Sequence, residues 1–415
     1  MKATRDRPPR IALLGEFGRG NFGNDASLLA AVAELRARDP DVDILCLCNA
    51  PEAVMRRYGL AAAAIRRQTE QERSGRHSPV VRVIRRCLDL IRMYSLMRQQ
   101  DVVLVPGMGV LEARSMRAGA FASMLFMTTL AARAAGTRVA LVSVGADVAY
   151  RRSTRALFRW TLKLVDYCSF RDGYSQRCAR GYGLRSGRYP VYPDLVFAVD
   201  PPEEPIAPVQ PRSVGIGLIN YTGAFYGDEP ARRDAIAAAY QDAITSFVEW
   251  LLGRGHQVSL LTGDRKDEEA AEAVGERIDT QLAGSLHIAH AESFEDLLLH
   301  VRRLDCLVVS RYHNVVAAAL IAKPVISINY MPKNGELMND MGLGEFHQPL
   351  EHLDEQHLRK QFIDLERSSA HISELMAGKR REYRDRLEQQ WSALWGTVLP
   401  PPRTIETSRP LGTLR

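Results

Sequence analysis

Asp305-Cys306-Leu307-Val308-Val309-Ser310-Arg311-Tyr312-His313-Asn314, running on into Val315 to Ile321, is the stretch on which the fold turns. Cys306 to Val309 is apolar without alternation, as a strand buried on both faces of a parallel sheet requires. A helical apolar pattern starts at Val315, so a strand hands over to a helix almost at once. Arg311 and His313 fall on that turn, at the carboxyl end of the strand, where open α/β sheets bind ligands.

The same alternation of short apolar runs and helical patterns extends in both directions. Strands are expected at Ile11 to Leu14, Asp43 to Cys48, Val102 to Val105, Val139 to Val144 and Tyr167 to Phe170. A second set is expected at Val214 to Ile219, Val258 to Leu261, Cys306 to Val309 and Val325 to Ile328. Helices are expected at Asp25 to Arg38 with Asn24 as its cap, within Pro79 to Met97, and near Arg232 to Leu252, Asp267 to Ile278, Phe294 to Val301 and Val315 to Ile321. Between the two sets, Asp200 to Ser213 carries five prolines and little periodicity. At 415 residues the chain is also longer than one core usually organises. The fold class is therefore α/β, two doubly wound Rossmann-like domains facing a cleft. The N-terminal domain spans 1–200, a linker 201–213, the C-terminal domain 214–369, a helix 370–398 and a disordered tail 399–415.

Composition narrows the function classes. Charged residues at 25% and hydrophobic residues at 46% describe a folded globular chain. The net charge of +6 is too small a surplus to imply nucleic acid, and none is expected as a partner. No two cysteines form a CxxC pair and no signal-peptide core follows Met1, so reduced thiols and a cytoplasmic location are expected. Ala118 to Ala132 is interrupted by Ser123, Thr128 and Thr129 and is too short to span a bilayer. The remaining histidines show no metal spacing, and neither metal nor organic cofactor is expected.

Two glycine turns end strands in the first half. Gly15-Glu16-Phe17-Gly18-Arg19-Gly20-Asn21-Phe22-Gly23-Asn24-Asp25 lies directly before a helix, where backbone N–H groups can meet an anion or a sugar. It has neither the dinucleotide spacing nor a Walker lysine, and a plain connecting loop is its other reading. Pro106-Gly107-Met108-Gly109 is the second turn. Ser169-Phe170-Arg171-Asp172-Gly173-Tyr174-Ser175 closes a later strand, and Asp172 either lines the cleft or caps the following helix. In the second half, an arginine fork at Arg311 suits a carboxylate or phosphate, and His313 can exchange a proton near neutral pH. Val325 to Ile328 leads to Tyr330 and Lys333 at the same end of the sheet, with Lys333 either in the cleft or solvated.

Taken in order from Ile11 to Gly344, these elements resemble the polysaccharide pyruvyl transferase family. The resemblance rests on Asn21 to Asp25, the Gly107 turn, Ser169/Arg171-Asp172/Ser175, Asp194 before Phe197, Ser293, Arg311-Tyr312-His313 and the Val325 to Lys333 segment. Where the family has an acidic pair after Asn-x-Gly this chain has Asn24-Asp25, and Pro106 and Met108 interrupt its glycine run. The resemblance implies a GT-B-like architecture and transfer of pyruvate from phosphoenolpyruvate, the co-substrate, onto two hydroxyls of a sugar or lipid-linked oligosaccharide as a ketal. It implies donor binding at Arg311 and His313; the chemistry of ketal formation then assigns Arg311, with Lys333 assisting, to donor charge, His313 as acid/base and Asp25 as a base for an acceptor hydroxyl, with Tyr312 and Tyr330 beside the donor. Gly18, Asn21, Gly23, Asn24, Gly107, Gly109, Arg171, Asp172 and Ser175 then line the acceptor side. A nucleotide-sugar glycosyltransferase and a catalytically idle sugar-binding member are the alternatives.

One further segment concerns location. Nine arginines (66, 67, 73, 76, 82, 85, 86, 92, 98) fall between Arg66 and Arg98, with Val80, Val81, Ile84, Leu88, Ile91 and Tyr94 at helical spacing. Such a helix either lies on the anionic inner face of the plasma membrane or packs its apolar face on the sheet.

Overall fold

Every strand expected from sequence forms, and three further ones join them, each at a sheet edge. The structure is a computed structural model describing residues 7–65, 79–112, 119–183, 189–202, 212–221, 230–263 and 267–400, with only the backbone described at 79–86 and 119–120. Residues 203–211 of the expected linker (201–213) and 401–415 of the expected tail (399–415) lie outside the described residues.

The first sheet has the order β3-β2-β1-β4-β5-β6. Its strands are β1 (Arg10–Leu14), β2 (Asp43–Cys48), β3 (Ala61–Ala64), β4 (Val102–Pro106), β5 (Arg138–Val144) and β6 (Tyr167–Phe170). Its helices are α1 (Phe22–Arg38), α2 (Pro51–Tyr58), α3 (Pro79–Met97), α4 (Gly119–Ala134), α5 (Arg152–Leu164) and α6 (Gly173–Arg180). The second sheet runs β12-β11-β10-β7-β8-β9. Its strands are β7 (Ser213–Gly217), β8 (Gln257–Leu261), β9 (Leu286–Ala289), β10 (Cys306–Val309), β11 (Val325–Asn329) and β12 (His347–Pro349). The helices are α7 (Pro230–Gly253), α8 (Glu268–Gly275), α9 (Phe294–Arg302), α10 (Tyr312–Ile321), α11 (Pro332–Asp340), α12 (Glu355–Arg367) and α13 (Ser369–Thr397).

All strand pairs are parallel, with Ile11 opposite both Ile44 and Val102, and Leu307 opposite both Gly215 and Val325. The central strands are fully buried, which is why they read as unbroken apolar runs. Strand order reverses between β1 and β4 in one sheet and between β7 and β10 in the other. Ligand crevices form at such reversals. The glycine turns after β1 and β4 flank the first, and Arg311 and His313 follow β10 at the second.

Two helix starts differ from expectation. Helix α1 begins at Phe22, because Asn21 rather than Asn24 is the cap: the Asn21 side chain accepts the Asn24 N–H at 3.1 Å. Helix α10 begins at Tyr312, so His313 lies in its first turn. Helix α13 leaves the second half and returns to the first. Its Gln390 amide donates to Ser169 Oγ at 2.6 Å and its carbonyl accepts from Ser143 Oγ at 3.0 Å, while Trp391 and Leu394 are buried. No helix among the described residues is long and apolar enough to cross a membrane.

Candidate functional site

The two sets of motifs meet at His313. Its imidazole lies so close over Gly23, in the first turn of α1, that a β-carbon built there would stand 2.0 Å from Nδ1 and 2.1 Å from Cε1. Any other residue at 23 would push the ring away. Burial lowers the His313 pKa to about 3; nearby Asp194 works to raise it, and Arg171 and Lys333 lower it further. Its unliganded imidazole is therefore neutral at neutral pH.

Beside it, the Tyr312 ring is buried, with the Arg171 guanidinium 4.8 Å and the Lys333 ammonium 5.4 Å from its centroid. Arg171, at the end of β6, is buried among carboxylates: Glu112 at 3.1 Å, Asp194 at 3.3 Å and Asp172 at 3.5 Å. Burial opposes its charge, but Tyr312 and those carboxylates more than offset this and raise its pKa above the usual value. Lys333, from the first turn of α11, reaches Glu112 at 3.5 Å. Glu112 thus joins a cation of each half. Gly109 leaves room for its carboxylate, which a β-carbon would approach to 2.3 Å. Sequence reasoning passed over Glu112, although it follows the second glycine turn closely.

Arg311 caps the strand end just outside this cluster. Its Nε and Nη2 donate to the two oxygens of fully buried Asp267 at 2.8 and 2.6 Å, and its guanidinium lies 5.8 Å from the Tyr330 ring. Asp267 also accepts the Asn220 N–H at 3.0 Å, so the arginine is fixed to the loop before α8. A bidentate pair of this kind orients the fork rigidly.

In the N-terminal half, Asp25 faces inward to the glycine turn. It accepts the Gly18 N–H at 2.8 Å and the Tyr58 hydroxyl at 2.9 Å, and burial raises its pKa despite both bonds. Gly18, with φ +73°, can take this backbone conformation because it has no side chain. The Asn24 amide donates to the Glu16 carbonyl at 3.3 Å. Gly107, also at positive φ, lets the second turn pass over Ser27 of α1. Asp172 accepts the Ser175 N–H at 2.6 Å and so caps α6 while paired with Arg171. The structure therefore brings His313, Tyr312, Lys333, Arg171 and Gly23 together, with Arg311 and Tyr330 behind them. Asp25, Asn21, Asn24 and Ser175 hold the surrounding loops. A hollow of about 680 Å³ opens between the halves, lined by Gly18, Arg19, Gly20, Arg56, Arg57 and His290 among others.

Residues 21–331 match the family model for polysaccharide pyruvyl transferase, which is most of the chain. The chain belongs to the polysaccharide pyruvyl transferase family. No curated protein gives a significant sequence match. Among solved structures, the chain is similar to a UDP-GlcNAc 2-epimerase from Methanocaldococcus jannaschii (12% identity, 86% of this chain and 92% of that one, TM-score 0.56). It is also similar to a UDP-GlcNAc 2-epimerase from Neisseria meningitidis (10%, 88% and 94%, 0.55) and to the glycotransferase of kitacinnamycin (12%, 95% and 100%, 0.55). At these identities the likeness concerns the fold, which is the GT-B-like pair of Rossmann-like domains. For this family member, Glu112 and Arg171 complete the cluster around His313. Among the described residues no group of three or more His, Cys, Asp or Glu side chains is arranged to hold a metal ion.

Proposed function

We propose that the chain transfers the pyruvyl group of phosphoenolpyruvate onto two hydroxyls of a sugar, releasing inorganic phosphate, in the making of a cell-surface polysaccharide. The observation that carries this reading is the convergence of Arg171, Lys333 and a neutral His313 at one point between the halves, with Arg311 fixed beside them. A small donor with a carboxylate and a phosphate needs several cations within a few ångströms, and preorganised ones lose little on binding.

In this reading the C-terminal half takes the donor and the N-terminal half the acceptor. The donor's anionic charge offsets Arg171 and Lys333, which lower the His313 pKa in the free protein, so the imidazole gains a proton as donor binds. His313 then protonates the methylene carbon, and the carboxylate-bearing carbon becomes cationic. One sugar hydroxyl attacks that carbon and gives up its proton. The carbon–oxygen bond to phosphate breaks, and the second hydroxyl adds to close the ketal. His313 supplies the methyl proton and takes back the proton of one acceptor hydroxyl, while that of the other leaves on phosphate. Glu112, between Arg171 and Lys333, keeps the two cations in place before the donor arrives. The acceptor, a sugar or lipid-linked oligosaccharide, enters through the hollow beside Gly18 and Arg56. This chemistry calls for no metal or organic cofactor.

The test is incubation of the full chain with phosphoenolpyruvate and a panel of oligosaccharides bearing free diols. A pyruvyl ketal by mass spectrometry, with one inorganic phosphate per ketal, is the expected result. Release of a nucleoside diphosphate from a nucleotide sugar, with no phosphate from phosphoenolpyruvate, would overturn the reading.

A further inference from the structure

Helix α5 and the loop before it present a surface that the reaction does not use. From Val148 to Val165 the chain holds Arg151, Arg152, Arg155, Arg159 and Lys163 and not one Asp or Glu, within a chain whose charges nearly balance. Arg152, Arg155, Arg159 and Lys163 recur at helical spacing and form one exposed stripe. No carboxylate lies within ion-pair distance of these cations among the described residues, whereas most of the other arginine side chains described have one. They border an open hollow of about 580 Å³. Like charges held this close repel one another until an external anion meets them.

The same surface exposes large apolar and aromatic groups. Trp160 is 54% exposed with Lys163 over its ring at 4.8 Å, and Tyr150 is 62% exposed. Helix α3, packed with α4 and α5 on the same side of the sheet, turns Leu88 and Ile91 outward at 59% and 61%, while Met93 and Met97 fill the core. Of the apolar stripe that could have packed on the sheet, Leu88 and Ile91 therefore face solvent. The arginines at 82, 85 and 86 lie where only the backbone is described, and those at 66, 67, 73 and 76 outside the described residues, so the charge argument rests on α5. Between the three helices lies a mostly apolar hollow of about 330 Å³, lined by Leu90, Met93, Phe126 and Leu157 among others.

We infer that the α3–α5 face is a docking surface for a bilayer rich in anionic phospholipid. Cations flanking an exposed tryptophan and tyrosine match the two zones of such a surface, headgroup phosphates and the acyl boundary beneath them. A soluble polyanion would match the charge and leave Trp160, Leu88 and Ile91 in water. The loop carrying Val148 and Tyr150 leaves the carboxyl end of β5, the end that faces the cleft, so a docked bilayer borders the entrance through which an acceptor on a lipid would come. The inference stands on this surface and not on pyruvyl transfer.

The experiment is sedimentation of the full chain with vesicles of phosphatidylcholine containing phosphatidylglycerol, without donor or acceptor. Binding should fall steeply with added salt, be lost on pure phosphatidylcholine, and shift Trp160 emission to the blue; Trp160→Phe should abolish the shift, since Trp391 and Trp395 are already buried and the half-buried Trp250 packs on Phe247 and Phe362 in the other half of the chain. Replacing Arg152, Arg155, Arg159 and Lys163 together by Gln should weaken partitioning about 100-fold or more. That variant should keep the wild-type denaturation midpoint, because each replaced group is exposed. As a second variant, Tyr150→Ala with Trp160→Ala should weaken binding while leaving its salt dependence in place. Equal binding by wild type and the four-Gln variant, equal binding to pure phosphatidylcholine, or release from vesicles by soluble polyphosphate with no emission shift would each overturn the inference.

Discussion

Gly23→Ala should destabilise the protein when His313 is present and stabilise it when His313 is absent. A β-carbon at 23 would lie 2.0 to 2.1 Å from three imidazole atoms, far inside contact distance, so the ring or the helix has to move. Overpacking of this kind costs about 1–3 kcal/mol. Against it, alanine is favoured over glycine within a helix by up to about 1 kcal/mol. The net effect in wild type is a loss of up to about 2 kcal/mol, together with a fall in turnover as the imidazole leaves its place. In a His313→Ala background the clash is gone and only the helical preference remains, so the sign reverses. Gly396→Ala is the control: it lies in α13 with nothing within 4 Å of a β-carbon, and should be neutral or mildly stabilising. Urea midpoints of the four proteins in the Gly23/His313 cycle give the coupling directly. A Gly23→Ala penalty of the same size with and without His313 would refute the contact.

Two other outcomes follow from the same cluster. The His313 pKa of about 3 in the folded chain lies below its ordinary value of 6.5, so between those limits the unfolded state holds the extra proton. Stability from this group is complete above about pH 7 and falls by up to about 1.4 kcal/mol per pH unit on acidification from pH 6; denaturant titrations at pH 7 and pH 5 should show a smaller loss in His313→Gln, and an unchanged loss would rule the residue out as its source. Arg171→Met leaves Glu112, Asp172 and Asp194 facing one another without their shared cation and should cost about 3–5 kcal/mol, with part regained by adding Asp194→Asn; a near-native urea midpoint for Arg171→Met would contradict the buried ion cluster.

Much of the fold was legible because buried parallel strands are continuous apolar runs. Asp43–Cys48, Tyr167–Phe170 and Cys306–Val309 could be bounded to the residue. Three of the four edge strands, β3, β9 and β12, could not. Ala61–Ala64 has the strongest helical preference of any tetrad and no alternation, and it is a strand because it pairs with β2. His347–Pro349 pairs with β11 over only three residues. At the site, Arg311 and His313 were visible because a polar pair interrupts an apolar run at a strand end. Glu112 and Asp267 were not: one is a lone acid after a turn and the other the first of three acids that open α8, and each is given its place in the site only by the arginine that folding brings to it from 59 and 44 residues away. Asp25 was read as a possible base from its place beside the glycines, and that same place lets it accept the Gly18 N–H and hold the turn.

Helix α13 sets an order on how the chain is made. Ser143 and Ser169, both fully buried, complete their side-chain hydrogen bonds with Gln390, 247 and 221 residues further on. At a synthesis rate of about 5–20 residues per second, the first sheet emerges from the ribosome some tens of seconds at most before the helix that closes over it. During that interval the surface later covered by Trp391 and Leu394 is open to solvent. A nascent chain stalled before residue 369 would hold the strands of both sheets but leave open the ground of α13 on each, α10 in the C-terminal half as well as the serines of the first sheet, apolar surface of the kind a ribosome-bound chaperone covers.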